Sequence, residues 1–473
     1  MPWFLKKRVW LTSLVLLLLF FVFVTQVPSP PRYNLRTAGL ENPVFYRGQV
    51  DYFAEFERGY NEKLHPMADN GYRDMLIACG PRILDQDALM DTVLWAHLPA
   101  DLHGSNYYYN YWLPLCEKLE MDPVPRPKYL DSLGFQSYFA KSMMGEQGAR
   151  NYREKIAKTP FDLGESPEIE TWLLERSPVL DLFNESVRKP NYFCPKFFMR
   201  DEDWGYLCAI LLPDVTAQRT FAQDLQVRIG DRIFRGDLDG AWHDTMSMYL
   251  LSRKHYQYEP WGVVQLVGLR IEEMGHESLR LILTHGEPTR ELLDKIAADL
   301  DSLPPLEYCF NELKMTQLQM HELLKQQQLW NRSATISSSG FVHSGSPSPD
   351  EALLAVLPLD QNIAGENLTQ LFERSGMMEL AEEKYCPPSS AERERFDEKF
   401  DKCMQFFDNH LNYPTDARLF MSMLTIQSRS RYAADVVFRE MFPAISALLA
   451  AFDRTQENFE SIREEVEQMK NEK

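Results

Sequence analysis

In the stretch "RGDLDGAWHD", residues 235–244, Asp237 and Asp239 stand on either side of Leu238 and just ahead of Gly240. Carboxylates at that spacing can bind calcium, exchange a proton or close a turn. An EF-hand loop needs oxygen ligands at positions 1, 3 and 5, glycine at 6 and glutamate at 12. Counted from Asp237, position 3 is Asp239, but 5 is Ala241, 6 is Trp242 and 12 is Met248. The ligand set stops at two. Acid–base catalysis needs neighbours that push the two pKa values apart, and the flanking sequence supplies none. The turn uses every residue. Gly236 permits the left-handed backbone that ends one helix. Asp237 or Asp239 accepts amide hydrogen bonds at the positive start of the next. Ala241 allows close packing and Trp242 fills the groove beyond.

Other chemistry-bearing residues are weaker signals. "RDEDWGY" (200–206) sets Asp201, Glu202 and Asp203 beside Trp204. A glycosidase needs two carboxyls on opposite sides of a sugar, and three adjacent acids read as an exposed loop. The aromatic run "NYYYNYW" (106–112) is able to stack on sugars, although such runs more often pack into a core or loop. His276-Glu277 and His321-Glu322 lack the second histidine of a zinc protease motif, and no phosphate- or dinucleotide-binding glycine pattern occurs. The seven cysteines (79, 116, 194, 208, 309, 386 and 403) form no C-x-x-C pair, so the expectation is buried free thiols rather than zinc ligands. Asn184, Asn331 and Asn367 begin formal glycosylation sequons, a number close to chance. No residue is singled out as catalytic, cofactor-binding or metal-binding, and no cofactor is expected.

The elements that carry these residues are read as helices. Hydrophobic residues make up 44% of the 473, enough for a real core. The net charge of −19 argues against nucleic acid, whose phosphates call for a basic surface. From Pro213, Phe221, Leu225, Ile229 and Ile233 recur four apart as one apolar ridge. A second helix carries Trp242, Met246, Tyr249 and Leu250. A third begins at Pro260 and carries Val263, Val264, Val267, Ile271 and Met274. Gly286 closes it and Pro288 opens a fourth, with Leu292, Leu293, Ile296 and Leu300 facing inward. Short connections make neighbours antiparallel, so the expected architecture is all-α: stacked helical hairpins similar in shape to tetratricopeptide proteins, without their 34-residue consensus.

Further helices are expected at 50–64 and at 70–80, the latter with Tyr72, Leu76 and Ile77 on one side and Gly80 as C-cap. Ser166-Pro167 and Ser177-Pro178 read as two helix starts, hence two short helices end to end over 166–189. Residues 454–473 read as a charged, mostly exposed helix.

The N-terminus carries the strongest physical signal. Lys6-Lys7-Arg8 precede "VWLTSLVLLLLFFVFVTQV" (9–27), unbroken hydrocarbon from Leu14 to Val24. Its helical length approaches the roughly 30 Å of a bilayer core, and the basic triplet places the N-terminus inside and the body outside. A cleaved signal peptide is the rival, but "FVTQVP" lacks the small residues that cleavage prefers. The expected organisation is a cytoplasmic basic N-terminus (1–8), a transmembrane helix (9–27) contacting the lipid bilayer, a spacer (28–47) opened by the stiff "PSPPR", a helical extracytoplasmic domain (48–332), a Ser/Gly/Pro-rich flexible loop (333–350) and a C-terminal helical region (351–473).

The blocks "VDYFAEFERGYNEKLHPMADNGYRDMLIACGP", "WLLERSPVLDLFNESVRKPNYFCP", "LPDVTAQRTFAQDLQVRIGDRIFRGDLDGAWHDTMSMYLLSRK" and "VVFREMFPAISALLAAFDRTQ" follow one another in this order. Together they resemble a group of membrane-anchored helical envelope proteins of planctomycete-type bacteria. The resemblance implies a bacterial envelope protein and carries over no catalytic or binding residue. The expected function is a non-enzymatic scaffold that presents a helical surface to a protein partner. The alternative is an envelope glycan-binding protein or hydrolase working through residues 106–112 and nearby carboxylates.

Overall fold

Asn70 starts the first helix because its side-chain oxygen accepts the Tyr72 N–H at 3.1 Å, satisfying an amide that the helix itself leaves open. The chain is seen in a computed structural model that describes residues 45–46, 49–50, 69–80, 113–122, 128, 134–139, 145–161, 166–192, 194–195, 213–258, 262–306, 308–309, 361–386, 390–411 and 426–473. The helices in these residues are α1 (Gly71–Cys79), α2 (Leu113–Lys118), α3 (Phe135–Phe139), α4 (Gly145–Ile156), α5 (Pro167–Arg188), α6 (Pro213–Phe234), α7 (Leu238–Tyr258), α8 (Gly262–His285), α9 (Arg290–Asp301), α10 (Gln361–Ser375), α11 (Met377–Leu380), α12 (Ala391–Leu411) and α13 (Ile426–Glu472). The strands are two-residue stretches: β1 (Phe45–Tyr46), β2 (Gln49–Val50), β3 (Tyr308–Cys309) and β4 (Lys384–Tyr385). The fold class is therefore all-α.

The chain divides into two units interleaved in sequence: one of Met1–Arg58, Tyr206–Ala209 and Phe310–Ala447, the other of Gly59–Gly205, Ile210–Cys309 and Leu448–Lys473. In the first, β1 and β2 pair antiparallel, Phe45 opposite Val50. Its helical part buries Leu368, Phe372, Met377, Leu380 and Phe396. Tyr385 meets Phe396 edge-on at 4.7 Å and lies 3.6 Å under the Arg393 guanidinium.

The second unit is built on α5 to α9. Hydrogen bonds fix the directions of its helices. Arg232 reaches Gly240 while Arg228 reaches Asp244, so α6 and α7 are antiparallel. Tyr249 meets His276 while Arg253 meets Glu272, so α7 and α8 are antiparallel as well. Phe221, Leu225, Ile229 and Ile233 are buried, as are Trp242, Tyr249, Val264, Ile271, Met274, Leu292, Leu293, Ile296 and Leu300. Val267 is partly buried and packs on the same core. Ahead of them, Phe135 packs on Phe139 at 4.4 Å and edge-on against Trp172 at 5.1 Å. Gly71 sits where a Cβ would fall 2.0 Å from the Ser186 carbonyl oxygen, so glycine is what lets α1 close onto α5.

Five expectations are corrected. Residues 167–188 form one continuous helix, not two. Pro178 lacks the N–H that would bond the Leu174 carbonyl, but Pro178 and Leu174 both face solvent, where water replaces that bond. Ile77 is 44% exposed, and Met75 and Cys79 take its place in the core with Tyr72 and Leu76. The fourth helix is opened by Thr289, whose side chain accepts the Leu292 N–H at 3.2 Å, and not by Pro288. The C-terminal helix buries Phe452, Phe459, Ile462 and Val466 on one face. Val50, expected in a helix, lies in β2.

The segment 9–27, "PSPPR" at 28–32, the helix expected at 51–64, residues 106–112 and 201–203, the loop 333–350, Cys208, Asn331 and the Val263 side chain lie outside the described residues. Among the described residues, no helix is long and apolar enough to cross a membrane.

Candidate functional site

Gly236 has a φ of 75°. Its N–H bonds the Ile233 carbonyl and the Asp237 N–H bonds the Arg232 carbonyl, the two-bond pattern of a Schellman stop. Asp237 then caps α7, its carboxylate accepting the Gly240 N–H at 3.0 Å. It curls so closely over Gly240 that a Cβ there would lie 2.1 Å from its Oδ2. Asp239 points elsewhere and pairs with Lys295 Nζ on α9 at 2.9 Å. The two aspartates thus work apart, each at a helix joint. Asp237→Ala removes a capping acceptor and is expected to lower the unfolding free energy by about 1 kcal/mol, measured by chemical denaturation.

The concentrated electrostatics lie one turn further on, at Asp244. Its side chain is fully buried. Oδ1 accepts from Asn184 Nδ2 at 2.6 Å and Arg228 Nη2 at 2.6 Å. Oδ2 accepts from Arg228 Nε at 2.8 Å and is 3.1 Å from Arg232 Nη1. A carboxylate has about four lone-pair positions, and all four face donors from α5 and α6. Arg228 extends the network, donating to Asp181 at 2.6 Å and to the Ser177 carbonyl at 3.3 Å. Burial works against its charge, but Asp244 and Asp181 outweigh burial and its pKa is raised. Arg188 donates to Ser247 Oγ and to the His243 carbonyl, tying α5 to α7.

Two further buried pairs repeat the arrangement. Asp224 on α6 accepts Arg176 Nε at 2.9 Å and the Phe135 N–H at 3.0 Å, so one carboxylate holds α5 and the start of α3. Arg176 also lies 4.6 Å over the Phe221 ring. Glu272 on α8 accepts Ser252 Oγ at 2.7 Å and Arg253 Nη2 at 2.6 Å. Burial pushes both carboxyls above their usual range, opposed by Arg176 for Asp224 and by Arg253 for Glu272. In each case the arginine is an immediate ion-pair partner. Removing one member of such a pair leaves an uncompensated charge in the interior.

Cys79, Cys116 and Cys403 are buried free thiols, and Cys194 and Cys386 are buried as well. Burial raises Cys79 to about 11, and Cys116 and Cys403 to about 12, so these three are poor nucleophiles near neutral pH. Among the described residues, no group of three or more His, Cys, Asp or Glu is placed to hold a metal ion. Asn184 is buried with its amide bonded to Asp244, which makes it no glycosylation acceptor.

Asp237 and Asp239 stand out in the sequence, whereas Asp244, Asp224 and Glu272 do not. One signal was available: Asp224 and Arg228 form a stripe directly beside the Phe221–Leu225–Ile229 ridge, where a surface helix would still be turning toward its core. Comparisons with protein families, curated proteins and solved structures found no match.

Proposed function

We propose that this chain is a single-pass envelope protein, N-terminus inside and body outside, whose stacked antiparallel helical hairpins act as a non-enzymatic scaffold for a protein partner. One observation carries the reading. The buried ionic groups of α5 to α8 are committed to one another across helix interfaces, and Asp244 has donors at all of its acceptor positions. Groups so engaged set helix register; they are not poised to accept a proton from a substrate. The antiparallel succession of α6, α7 and α8 supports the hairpin architecture, which suits an extended binding surface. The tether rests on Lys6-Lys7-Arg8 and the hydrocarbon run 9–27. The resemblance of the sequence blocks to planctomycete-type envelope proteins agrees with both.

The test is fractionation of the full-length chain followed by an alkaline carbonate wash, together with a hydrolysis assay on purified envelope glycan. The reading expects retention in the membrane pellet and no glycan turnover. Release of the intact chain into the wash would overturn the tether. Glycan hydrolysis lost in both Trp112→Ala and Asp201→Asn would replace the scaffold with a glycan enzyme.

A further inference from the structure

The final part of α13, residues 448–472, carries a row of buried residues three to four apart, Phe452, Thr455, Phe459, Ile462 and Val466, and meets α7 and α8 through its two phenylalanines. Tyr256 meets Phe452 edge-on at 6.0 Å. Phe459 lies 4.8 Å under the Arg253 guanidinium, 6.2 Å from the Tyr249 ring and 6.0 Å from the His276 ring. Around this row the contacts are ionic and exposed: Arg463 with Asp301, Lys470 with Asp294 at 3.5 Å and Arg280 with Glu465 at 3.5 Å. Such pairs are screened by salt and individually weak. At the centre of the interface stands one ionisable ring. His276 is 2% exposed, and its Nδ1 is 2.9 Å from Tyr249 Oη.

We propose that residues 448–472 form an acid-releasable latch, held shut on α7 and α8 by a neutral His276. The charged groups around the ring come from each packed element. Arg253 projects from α7. On α8 itself are Glu272, one turn before His276 and held by Arg253 and Ser252, and Arg280, one turn after it. From α13, Thr455 presents its backbone, Arg463 lies 5.9 Å from the Phe459 ring centre and Glu465 pairs with Arg280. On α9, Asp301 and Asp294 are engaged by Arg463 and Lys470. From α6, Gln226 donates to Glu277, the residue after His276.

A proton on the buried ring would be desolvated and would face two arginines. Burial, then Arg253 and Arg280, lowers the His276 pKa to about 3. A released helix returns the ring to water, which lifts the burial penalty and screens the two arginines, so its pKa approaches the ordinary value of about 6.5. The sign follows. Above about pH 6.5 the ring is neutral in both states and docking is complete. Between about 6.5 and about 3 the released state binds the proton and the docked state does not, so docking is progressively lost. At about pH 5 the shift in the release equilibrium is about 30-fold. Glu272 acts in the opposite sense, because its raised pKa makes protonation favour the folded form. Its pairing with Ser252 and Arg253 lies between α7 and α8, which stay together when the latch opens, so its effect is common to both states.

Hydrogen exchange of the full chain at about pH 7 and about pH 5, corrected for intrinsic exchange, tests the latch. The expected result is that segment 452–470 opens about 30-fold more often at the lower pH while α6 does not. His276→Gln, which keeps an acceptor for Tyr249 and cannot charge, is expected to erase that difference; His276→Asn serves the same purpose if the first variant fails to fold. Equal protection of wild-type 452–470 at both pH values overturns the proposal whatever the variants do. Parallel opening of α6, or full pH dependence in a folded His276→Gln chain, overturns it too.

Discussion

Replacing Asp244 with alanine is expected to destabilise the second unit by about 3–5 kcal/mol. The side chain of Arg228 is only 3% exposed, and after the substitution its guanidinium retains Asp181 alone as a carboxylate partner. Asn184 and Arg232 lose an acceptor at the same stroke. The loss should therefore exceed the value of any single hydrogen bond, about 1 kcal/mol. Chemical denaturation read by circular dichroism measures it as a fall in transition midpoint. The mechanism also predicts a rescue. Replacing both partners with apolar residues of similar size, Arg228→Met with Asp244→Leu, removes the orphaned charge and should recover most of the loss. A double variant as unstable as Asp244→Ala would mean that the arginine's charge is not what the single substitution strands.

Trp242→Ala is the second large effect, at about 3–5 kcal/mol. The indole is 1% exposed and lies 6.4 Å from the Tyr249 ring. Its Nε1–H donates to Asp299 Oδ2 on α9 at 2.7 Å, so one side chain both fills the core and anchors the fourth helix. Trp242→Phe separates the roles. It keeps most of the packing and deletes the donor, and because Asp299 is partly exposed, water takes over that acceptor. A loss of about 1.5 kcal/mol is expected for the phenylalanine variant. Equal losses in the two variants would show that the hydrogen bond, rather than the buried ring, holds α9.

Helix positions were legible wherever one apolar stripe recurred at the helical period. Phe221, Leu225, Ile229 and Ile233 announced α6, and Leu292, Leu293, Ile296 and Leu300 announced α9. Three glycines were legible as stops: Gly80 and Gly236, with φ of 69° and 75°, and Gly286, directly after the end of α8. Local signals misled where tertiary context decided. Ser177-Pro178 looks like a helix start, but the proline falls on the wet face of α5, where a missing bond is cheap. Pro288 looks like a first helical residue, yet Thr289 supplies the capping oxygen. The C-terminal helix looked solvated because its charges outnumber its apolar residues. Phe452, Phe459, Ile462 and Val466 nevertheless share a face, and their spacing was the better guide.

The charged interior was the least legible part. A carboxylate in a sequence looks the same whether it faces water or an arginine. The partners that decide the matter lie 16 residues from Asp244 in Arg228, 48 from Asp224 in Arg176 and 19 from Glu272 in Arg253. No local pattern encodes those distances; only the folded helices bring the charges together. Asp237 and Asp239 stand out because only Leu238 separates them, yet they serve different helix joints. Asp244, with no acidic neighbour, collects the donors of three side chains.

That interior charges act as joints between helices, fixing register rather than performing chemistry, is tested most directly by a double-mutant cycle on Arg228 and Asp244 with denaturant unfolding as the readout. The predicted coupling is about 3 kcal/mol, the two single substitutions together overstating the loss measured in the double. Additivity within about 0.5 kcal/mol would contradict it.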